Sequence, residues 1–591
     1  MQKVNRNYLW CEAFVETLAA AGIKYCCISP GSRSTPLTLA FASNKKIKTF
    51  INVDERNSAF IALGLAKSSG TAVALVCTSG TAVAEFYPAI IEAFQQRIPL
   101  VICSADRPDY LVNTGANQTI NQNNIYANHI RFFFDAGLPS TKNKDILSFL
   151  SKVRKALGIG LFTDRGPVHI NFPFEKPLEP KSFTDSISDS QVKSIFTFAQ
   201  KPIITRNKSK TFDLWERNLL KEIMHTPYGM IIFGPGEPRY RLRRLTAAFS
   251  QLTGYPILSD GCSQLRFGVH NKSNVITNYN TILSSPELIN KINPDLIIQL
   301  GRTPTSKVIE DFFASVNSKR YIINEFGDRF DPQGTAHKIL QCPPEIFLEK
   351  FIHELSKEKS IRQIDKRNEK LLQLDKQSEK LKTKYFSLKD FSNEVRVLTE
   401  VINNLPDKSN LFISNSTPVR DLDTFGSKTD KDIRVYNNRG ASGIDGITST
   451  AIGVALDSKQ PTVLITGDLS FYYDINSLVN LKKVKTPFIV VLINNNGGGL
   501  FRALPISKSR KHFEEYFITA QNLDYKSIVR SFGVKYAHIR SSAQLVKWFK
   551  QAVKSKLQVV LEVKTDSKKS LKSRVEFRKI AQAEMSLKNA D

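Results

Sequence analysis

The chain has 591 residues, too many for a single hydrophobic core, so three or four domains are expected. An apolar fraction of 41% with 10% aromatics is that of a globular protein and excludes a disordered or fibrous chain. The formal charge of +28 invites a nucleic-acid reading, but lysine is spread along the chain and neither RYRLRR at 239–244 nor the tail from Lys564 to Lys579 carries a groove-reading motif. No nucleic-acid partner is therefore expected, since charge runs of this kind are solvated faces and a protein that handles small anions explains the sign equally well.

At the N-terminus LAAAG resembles a cleavage site, but Glu12 and Glu16 interrupt the apolar region that export would need. No stretch approaches the ~20 apolar residues of a membrane span, and a cytoplasmic location is expected. The seven cysteines are scattered, odd in number and never spaced as CxxC. They read as reduced residues rather than as a disulfide frame or a zinc site.

The first third alternates short apolar runs, YCCISP, KTFINV, AVALVCTSG, PLVICSAD and PVHINF, with helical stretches such as 58–68 and 82–96. That alternation predicts a parallel sheet covered by helices on both faces. Residues 180–200 are polar and turn-rich and read as a linker. A second block follows with strands GMIIFGPG, YPILSDG, DLIIQLG and RYIINEFGD, then a charged helical connector over 349–384. The last block, from about 385, has strands NLFISNS, PTVLITGD, PFIVVLINNN and LQVVLEV. The expected class is thus α/β, three consecutive domains with mainly parallel sheets. GPGEPR in the middle block lacks the third glycine of a dinucleotide fingerprint and carries proline where a helix should begin.

The segment ITGDLSFYYDINSLVNLKKVKTPFIVVLINNNGGGLF holds the sharpest signal. A buried strand ends in Gly467-Asp468, a stretch of helical spacing follows, and the next strand ends in asparagines, which makes one βαβ unit. Both parallel strands finish on one sheet edge, so Asp468 and Asn495, 27 positions apart, can face one another where ligands sit in open α/β sheets. One carboxylate, one amide oxygen and the carbonyl of Gly497 form an oxygen-only, weakly charged set that suits Mg²⁺ completed by phosphate oxygens. The glycines allow close backbone approach to a phosphate. Singly, Gly-Asp and an asparagine run are turn chemistry; their spacing makes the pair informative, and it resembles the thiamine-diphosphate motif.

That cofactor needs a glutamate to hydrogen-bond its aminopyrimidine ring, and the candidate is Glu55 in KTFINVDERNSAF, past a strand and at the start of an apolar helix. Alone, Glu55 reads as a first-turn carboxylate that complements the helix dipole. TSGTAVAEFYPAIIEAF follows it at 78–94, as in the pyrimidine-binding domain of thiamine-diphosphate enzymes. ISPGSRSTPLTLAF, DERNSAF, SADRP, GANQTINQ, SNSTPVRDLDTF, NRGASGIDGITSTAIG and NNNGGGLF, in that order, closely resemble the 2-succinyl-5-enolpyruvyl-6-hydroxy-3-cyclohexene-1-carboxylate synthase family of menaquinone biosynthesis.

The resemblance implies the thiamine-diphosphate-binding fold, with a pyrimidine-binding domain at 1–185, a central α/β domain at 200–355 and a diphosphate-binding domain at 385–591. It implies thiamine diphosphate with Mg²⁺ or Mn²⁺ as cofactors, and a homodimer or homotetramer whose active sites lie at the subunit interface, Glu55 of one chain serving a cofactor held by another. The implied reaction decarboxylates 2-oxoglutarate and adds the four-carbon fragment to isochorismate, the cofactor acting as electron sink. Metal ligands by resemblance are Asp468, Asn495 and Gly497; the cofactor is also met by Glu55, Ser416, Gly467, Leu469 and Ser470. Ser32, Arg33, Asn117, Gln118, Lys307, Arg420 and Arg439 are placed around the substrates, with Leu500 and Phe501 packed on the reacting groups. Of these, Arg33, Gln118, Lys307, Arg420 and Arg439 join Glu55 as catalytic candidates. Both substrates carry two carboxylates, which bidentate guanidinium pairing would fix in a partly dry site.

Gly499 and Val308 depart from some relatives, which bears on the shape of the isochorismate pocket. None of the eight histidines falls in these motifs, and His129 and His169 are expected to be structural. Proton movements are assigned to the cofactor amine, Glu55 and water. Two competing readings are a thiamine-diphosphate enzyme acting on another 2-oxoacid, and a basic nucleic-acid binder with a vestigial site.

Overall fold

The computed structural model describes residues 1–183, 185–203, 213–357 and 364–587. It divides into two compact units, one of Met1–Asn207, Asn438–Lys459 and Tyr473–Lys485, the other of Lys208–Asn437, Gln460–Tyr472 and Thr486–Asp591.

The first unit is built on strands β1 (Gln2–Val4), β2 (Tyr25–Ile28), β3 (Lys48–Ile51), β4 (Val73–Cys77), β5 (Leu100–Asp106), β6 (Phe132–Asp135), β7 (Val168–Pro173) and β8 (Asp185–Ile187). Six of them form a parallel sheet in the order β3-β2-β4-β5-β7-β6. β4 and β5 are buried along their whole length, as continuous apolar runs in a doubly covered sheet should be. On one face the helices Arg6–Ala20 and Asn143–Gly158 close a core in which Phe14, Phe41, Phe149 and Phe172 meet at edge or tilted angles.

The predicted linker is partly structure. β8 pairs antiparallel with β1, and the helix Asp189–Ala199 starts on a Ser188/Gln191 capping box and buries Ile195 and Ala199 in the same core. Its polar composition is the outer face of an amphipathic helix, which a composition reading takes for a loop.

The helix Glu55–Ser69 starts on Asp54, whose side chain accepts the Asn57 N–H, and ends on Gly70 at φ 69. It crosses the helix Ile447–Asp457 at two glycines. A Cβ on Gly64 would stand 2.0 Å from the Thr450 carbonyl oxygen, and one on Gly453 would stand 2.1 Å from that of Ile61. At the same crossing Asn57 donates to Asp474 Oδ1 at 2.6 Å and to Ser449 Oγ at 2.9 Å.

The second unit holds two parallel sheets. The middle one comprises β9 (Gly229–Phe233), β10 (Ile257–Ser259), β11 (Val275–Ile276), β12 (Leu296–Leu300), β13 (Lys319–Asn324) and β14 (Lys338–Gln341), ordered β11-β10-β9-β12-β13-β14. The last comprises β15 (Ser409–Ile413), β16 (Ile433–Tyr436), β17 (Thr462–Gly467), β18 (Phe488–Asn494), β19 (Lys535–His538) and β20 (Gln558–Lys564), ordered β16-β15-β17-β18-β20-β19. The first and last sheets therefore share one winding order, and the middle sheet has the other doubly wound order. In the middle sheet the switch point is closed by main chain: Gly234 N donates to Leu300 O, and a Cβ on Gly234 would lie 1.7 Å from Arg302 O. The charged connector at 349–384 overlaps the helices Pro344–Leu355 and Lys366–Ser387, while its residues 358–363 lie outside the described residues.

A buried ion pair joins the two sheets of this unit. Arg266 is fully buried and donates to the carbonyls of Leu422 at 3.0 Å, Asp423 at 2.8 Å and Gly426 at 2.8 Å, and to Asp423 Oδ1 at 3.2 Å. Asp423 also accepts Tyr279 Oη, Asn280 Nδ2 and Gly261 N, each at 2.8 Å. All seven cysteines are buried and free. Among the described residues no helix is long and apolar enough to cross a membrane.

Two outcomes are expected. Gly453→Ala forces a Cβ onto main chain, an overpacking cost of about 1–3 kcal/mol or more, read as a lower thermal midpoint. The second concerns His169, which is fully buried: its Nε2 donates to Ser104 Oγ at 2.7 Å, because the serine hydrogen goes to Asn171 Oδ1, while Nδ1 is unpartnered. Burial pushes this imidazole down to about 3 from 6.5. The unfolded chain then binds the extra proton first, so this contribution to stability is present above pH ~6.5 and is lost as pH falls toward 3. His169→Gln should flatten the fall in midpoint between pH 6 and 4; an unchanged slope contradicts the neutral buried state.

Candidate active site

In the last sheet β17 and β18 run parallel with Gly467 opposite Ile493, so Asp468 and Asn494–Asn495 leave the sheet at one edge. Asp468 opens the helix Asp468–Tyr473 and is almost fully buried. Its Oδ1 accepts Leu469 N and its Oδ2 accepts Gly497 N, both at 2.8 Å. Burial pushes this carboxyl up to about 6, Glu394 adds to the rise, and the N–H groups of Gly497, Leu469 and Asn496 oppose it. A carboxylate desolvated in this way gains most from a cation.

Asn495 donates Nδ2 to Glu394 Oε1 at 2.7 Å. A carboxylate only accepts, so this bond fixes which end of the amide faces Glu394. Asn495 Oδ1 is thereby left buried with no hydrogen-bond partner. An orphaned buried oxygen at the same sheet edge as a desolvated carboxylate fits an oxygen-liganded Mg²⁺.

Each of the three glycines has its own steric reason. Gly497 sits at φ 137, and a Cβ there would meet Ile518 O at 2.1 Å; one on Gly498 would meet Phe517 O at 2.3 Å; one on Gly499 would meet Asn495 Nδ2 at 2.7 Å and Ser567 Cβ at 2.9 Å. Gly497 O accepts Gly499 N at 2.9 Å and keeps a second lone pair. The residues present thus fit a metal-held diphosphate: a carboxylate, an unpartnered amide oxygen, a carbonyl and a side-chain-free turn. Leu500 and Phe501 continue into the 3-10 turn Gly499–Ala503, with Phe501 edge-on to Phe517.

The switch point of this sheet lies between β15 and β17. After β15 comes Ser416, with a positive φ of 69, ahead of the helix Thr417–Phe425. Arg420 lies on that helix and donates Nη1 to Ser416 O at 2.7 Å. Ser470 is buried and Leu469 half-buried behind Asp468. Lys307, by contrast, follows β12 of the middle sheet, exposed at the start of the helix Lys307–Ser315.

The other named residues lie in the first unit. Glu55 is partly buried at the first position of its helix, and burial pushes its carboxyl above the usual range, with the charges of Asp54 and Glu85 adding and a backbone N–H opposing. At the switch point between β2 and β4, Gly31 lets two loops touch, since a Cβ there would stand 2.2 Å from Thr78 Cβ. Next to it Ser32 is exposed, and Arg33 donates to Phe174 O at 2.8 Å.

Gln118 is in the left-handed region at φ 55 and closes on the same loop, Nε2 donating to Ser79 O at 3.0 Å while Ser79 Oγ donates to Gln118 O at 3.1 Å. Asn117 is exposed beside it. Arg439 precedes a turn whose Gly440 and Ala441 N–H groups donate to the buried Glu92 carboxylate at 2.8 and 2.6 Å.

The sequence reading missed the residues that hold these groups in place. Gln122, buried, accepts Gly80 N at 2.8 Å and donates to Asn171 Oδ1 at 2.9 Å, anchoring the Gln118 loop to the sheet. Arg107 donates to Gln118 O at 2.7 Å. Both lie inside the quoted GANQTINQ and SADRP motifs, which was an available signal. Glu92 likewise lies inside the quoted stretch 78–94, but Glu394 and Arg574 had no such signal, since each reads as an ordinary charged helix residue.

Three family models match: "Thiamine pyrophosphate enzyme, N-terminal TPP binding domain" over residues 10–125, "Middle domain of thiamine pyrophosphate" over 198–413, and "Thiamine pyrophosphate enzyme, C-terminal TPP binding domain" over 427–563. The chain is 35% identical to the 2-succinyl-5-enolpyruvyl-6-hydroxy-3-cyclohexene-1-carboxylate synthase of Haloquadratum walsbyi, covering 96% of this chain and 97% of that one. It is 34% identical to the Bacillus cytotoxicus synthase over 89% and 88%, and 35% to that of Trichodesmium erythraeum over 95% and 96%. Among solved structures, a thiamine diphosphate-dependent 4-hydroxybenzoylformate decarboxylase from Rhodococcus jostii shares the fold, with TM-score 0.69 and 14% identity over 94% of this chain and 99% of that one. The chain belongs to the 2-succinyl-5-enolpyruvyl-6-hydroxy-3-cyclohexene-1-carboxylate synthase family of thiamine-diphosphate enzymes.

Proposed function

We propose that the protein decarboxylates 2-oxoglutarate and adds the resulting succinyl fragment by conjugate addition to isochorismate, forming 2-succinyl-5-enolpyruvyl-6-hydroxy-3-cyclohexene-1-carboxylate for menaquinone biosynthesis. The observation that carries the reading is the Asp468–Asn495–Gly497 edge, with its orphaned amide oxygen, in a chain of this family.

Thiamine diphosphate, when bound, supplies the electron sink for the carbanion equivalent. Asp468, Asn495 Oδ1 and Gly497 O hold Mg²⁺ or Mn²⁺, and Gly467, Leu469, Ser470 and Ser416 line the same edge. Glu55 is the proton-holding group: a carboxyl raised by burial donates and accepts at Oε near neutral pH more readily than an exposed one. Arg33, Arg420 and Arg439, with Ser32, Asn117, Gln118 and Lys307, bind the carboxylates of the two substrates, a task for which a guanidinium fork is shaped. Leu500 and Phe501 exclude water from the reacting groups. The functional assembly is a homodimer or homotetramer with active sites at subunit interfaces, a reading that family membership supports.

Glu55→Gln should retain cofactor binding and lose about 10²–10⁴-fold in turnover; wild-type turnover removes Glu55 from its role. Asp468→Ala should lose metal-dependent cofactor affinity, and unchanged affinity removes it as a ligand. The reaction itself is tested by following isochorismate absorbance with protein, thiamine diphosphate and Mg²⁺. Consumption with 2-oxoglutarate and none with pyruvate is expected; consumption with pyruvate, or none with either donor, contradicts the substrate assignment.

A further inference from the structure

Asn495 can hold a cation only if its oxygen, not its nitrogen, faces the metal. The two ends of an amide differ little in shape, so something must set the flip. Glu394, at the first position of the helix Glu394–Asn404 and 3% exposed, supplies that information by accepting Asn495 Nδ2 at 2.7 Å. The reversed amide would set oxygen against carboxylate and turn two N–H hydrogens toward the metal.

Glu394 is itself held. Its other oxygen accepts Arg574 Nη2 at 2.7 Å, and Arg574 also grips Asp421 through Nε at 2.8 Å and Nη2 at 2.5 Å. Glu394 N donates to Ser570 Oγ at 3.1 Å. Arg574 and Ser570 lie on the C-terminal helix Ser567–Leu587. The same helix begins at Ser567, which with Gly499 leaves no room for a further carbon beside the Asn495 amide. Asp421 and Arg574 fall outside all three matched segments, whereas Glu394 lies in the middle one and Asn495 in the last.

We infer that Glu394, locked by Arg574 and Asp421, is a positioning residue that presents Asn495 Oδ1 to the divalent ion, so that the C-terminal helix sets metal affinity without touching metal or substrate. The inference rests on the metal–diphosphate reading of the Asp468–Asn495 edge.

The test is the apparent Kd for Mg²⁺ at saturating thiamine diphosphate, measured calorimetrically on the full-length chain freed of cofactor, with circular dichroism and thermal midpoint as the folding readout. Glu394→Ala should weaken Mg²⁺ by roughly 10–100-fold, the range for loss of an outer-shell partner. Asn495→Asp should also weaken it, because two carboxylates then face each other. Adding Glu394→Gln to Asn495→Asp restores a donor opposite an acceptor and should recover affinity by at least about fivefold relative to N495D alone.

If Glu394→Ala does not fold, the N495D and E394Q/N495D pair decides alone. Unchanged Mg²⁺ affinity in a folded E394A protein, or no recovery in the double variant, overturns the role of Glu394 while leaving the metal site standing. Failure of the wild-type chain to bind thiamine diphosphate with Mg²⁺ overturns the site reading and this inference together.

Discussion

The candidate site depends on one register. Because Gly467 of β17 pairs with Ile493 of β18, a carboxylate and an amide emerge side by side from a buried sheet edge. A shift of one residue would send each side chain to the opposite face of the sheet. The register is secured by burial on both faces: β18 is buried from Phe488 to Ile493, flanked by β17 and β20. The apolar runs that form the sheet therefore aim the polar residues that end it. The cost of burying Asp468 appears as its raised carboxyl pKa, and a bound cation would offset that cost.

The surroundings of this edge are fixed from behind. Arg266, in the segment between β10 and β11, holds the main chain at Leu422, Asp423 and Gly426. That helix carries Arg420 and Asp421 and follows Ser416. Removing one partner of a buried ion pair costs about 3–5 kcal/mol, far more than an exposed pair contributes. Arg266–Asp423 therefore serves to place the helix more than to add net stability. The middle domain thus acts on the site through packing, and its own switch point is filled by the approach of Gly234 to Arg302.

Much of this was legible in the sequence because the strands are continuous apolar runs bounded by turn residues, a pattern that survives without tertiary information. The strands that were missed, β6, β11, β14, β16 and β19 among them, are short or at sheet edges, where burial is one-sided and the run is broken: Lys338–Gln341 and Lys535–His538 each begin with an exposed lysine. The helix Asp189–Ala199 was hidden by its polar face. At the site, Asp468, Asn495 and the glycines announced themselves by spacing. The residues that orient them did not, because Glu394, Arg574 and Glu92 act over 101, 180 and 348 positions of sequence separation. No local pattern encodes such pairings.

The central claim is that the β17–β18 edge binds a divalent ion through oxygen atoms only. A crystal grown with thiamine diphosphate and Mn²⁺, phased for anomalous scattering, tests it most directly. The account predicts a single strong peak at about 2.1 Å from an Asp468 carboxylate oxygen, Asn495 Oδ1 and Gly497 O. A peak elsewhere in the chain, or an Asn495 amide turned with its nitrogen toward the ion, would contradict it.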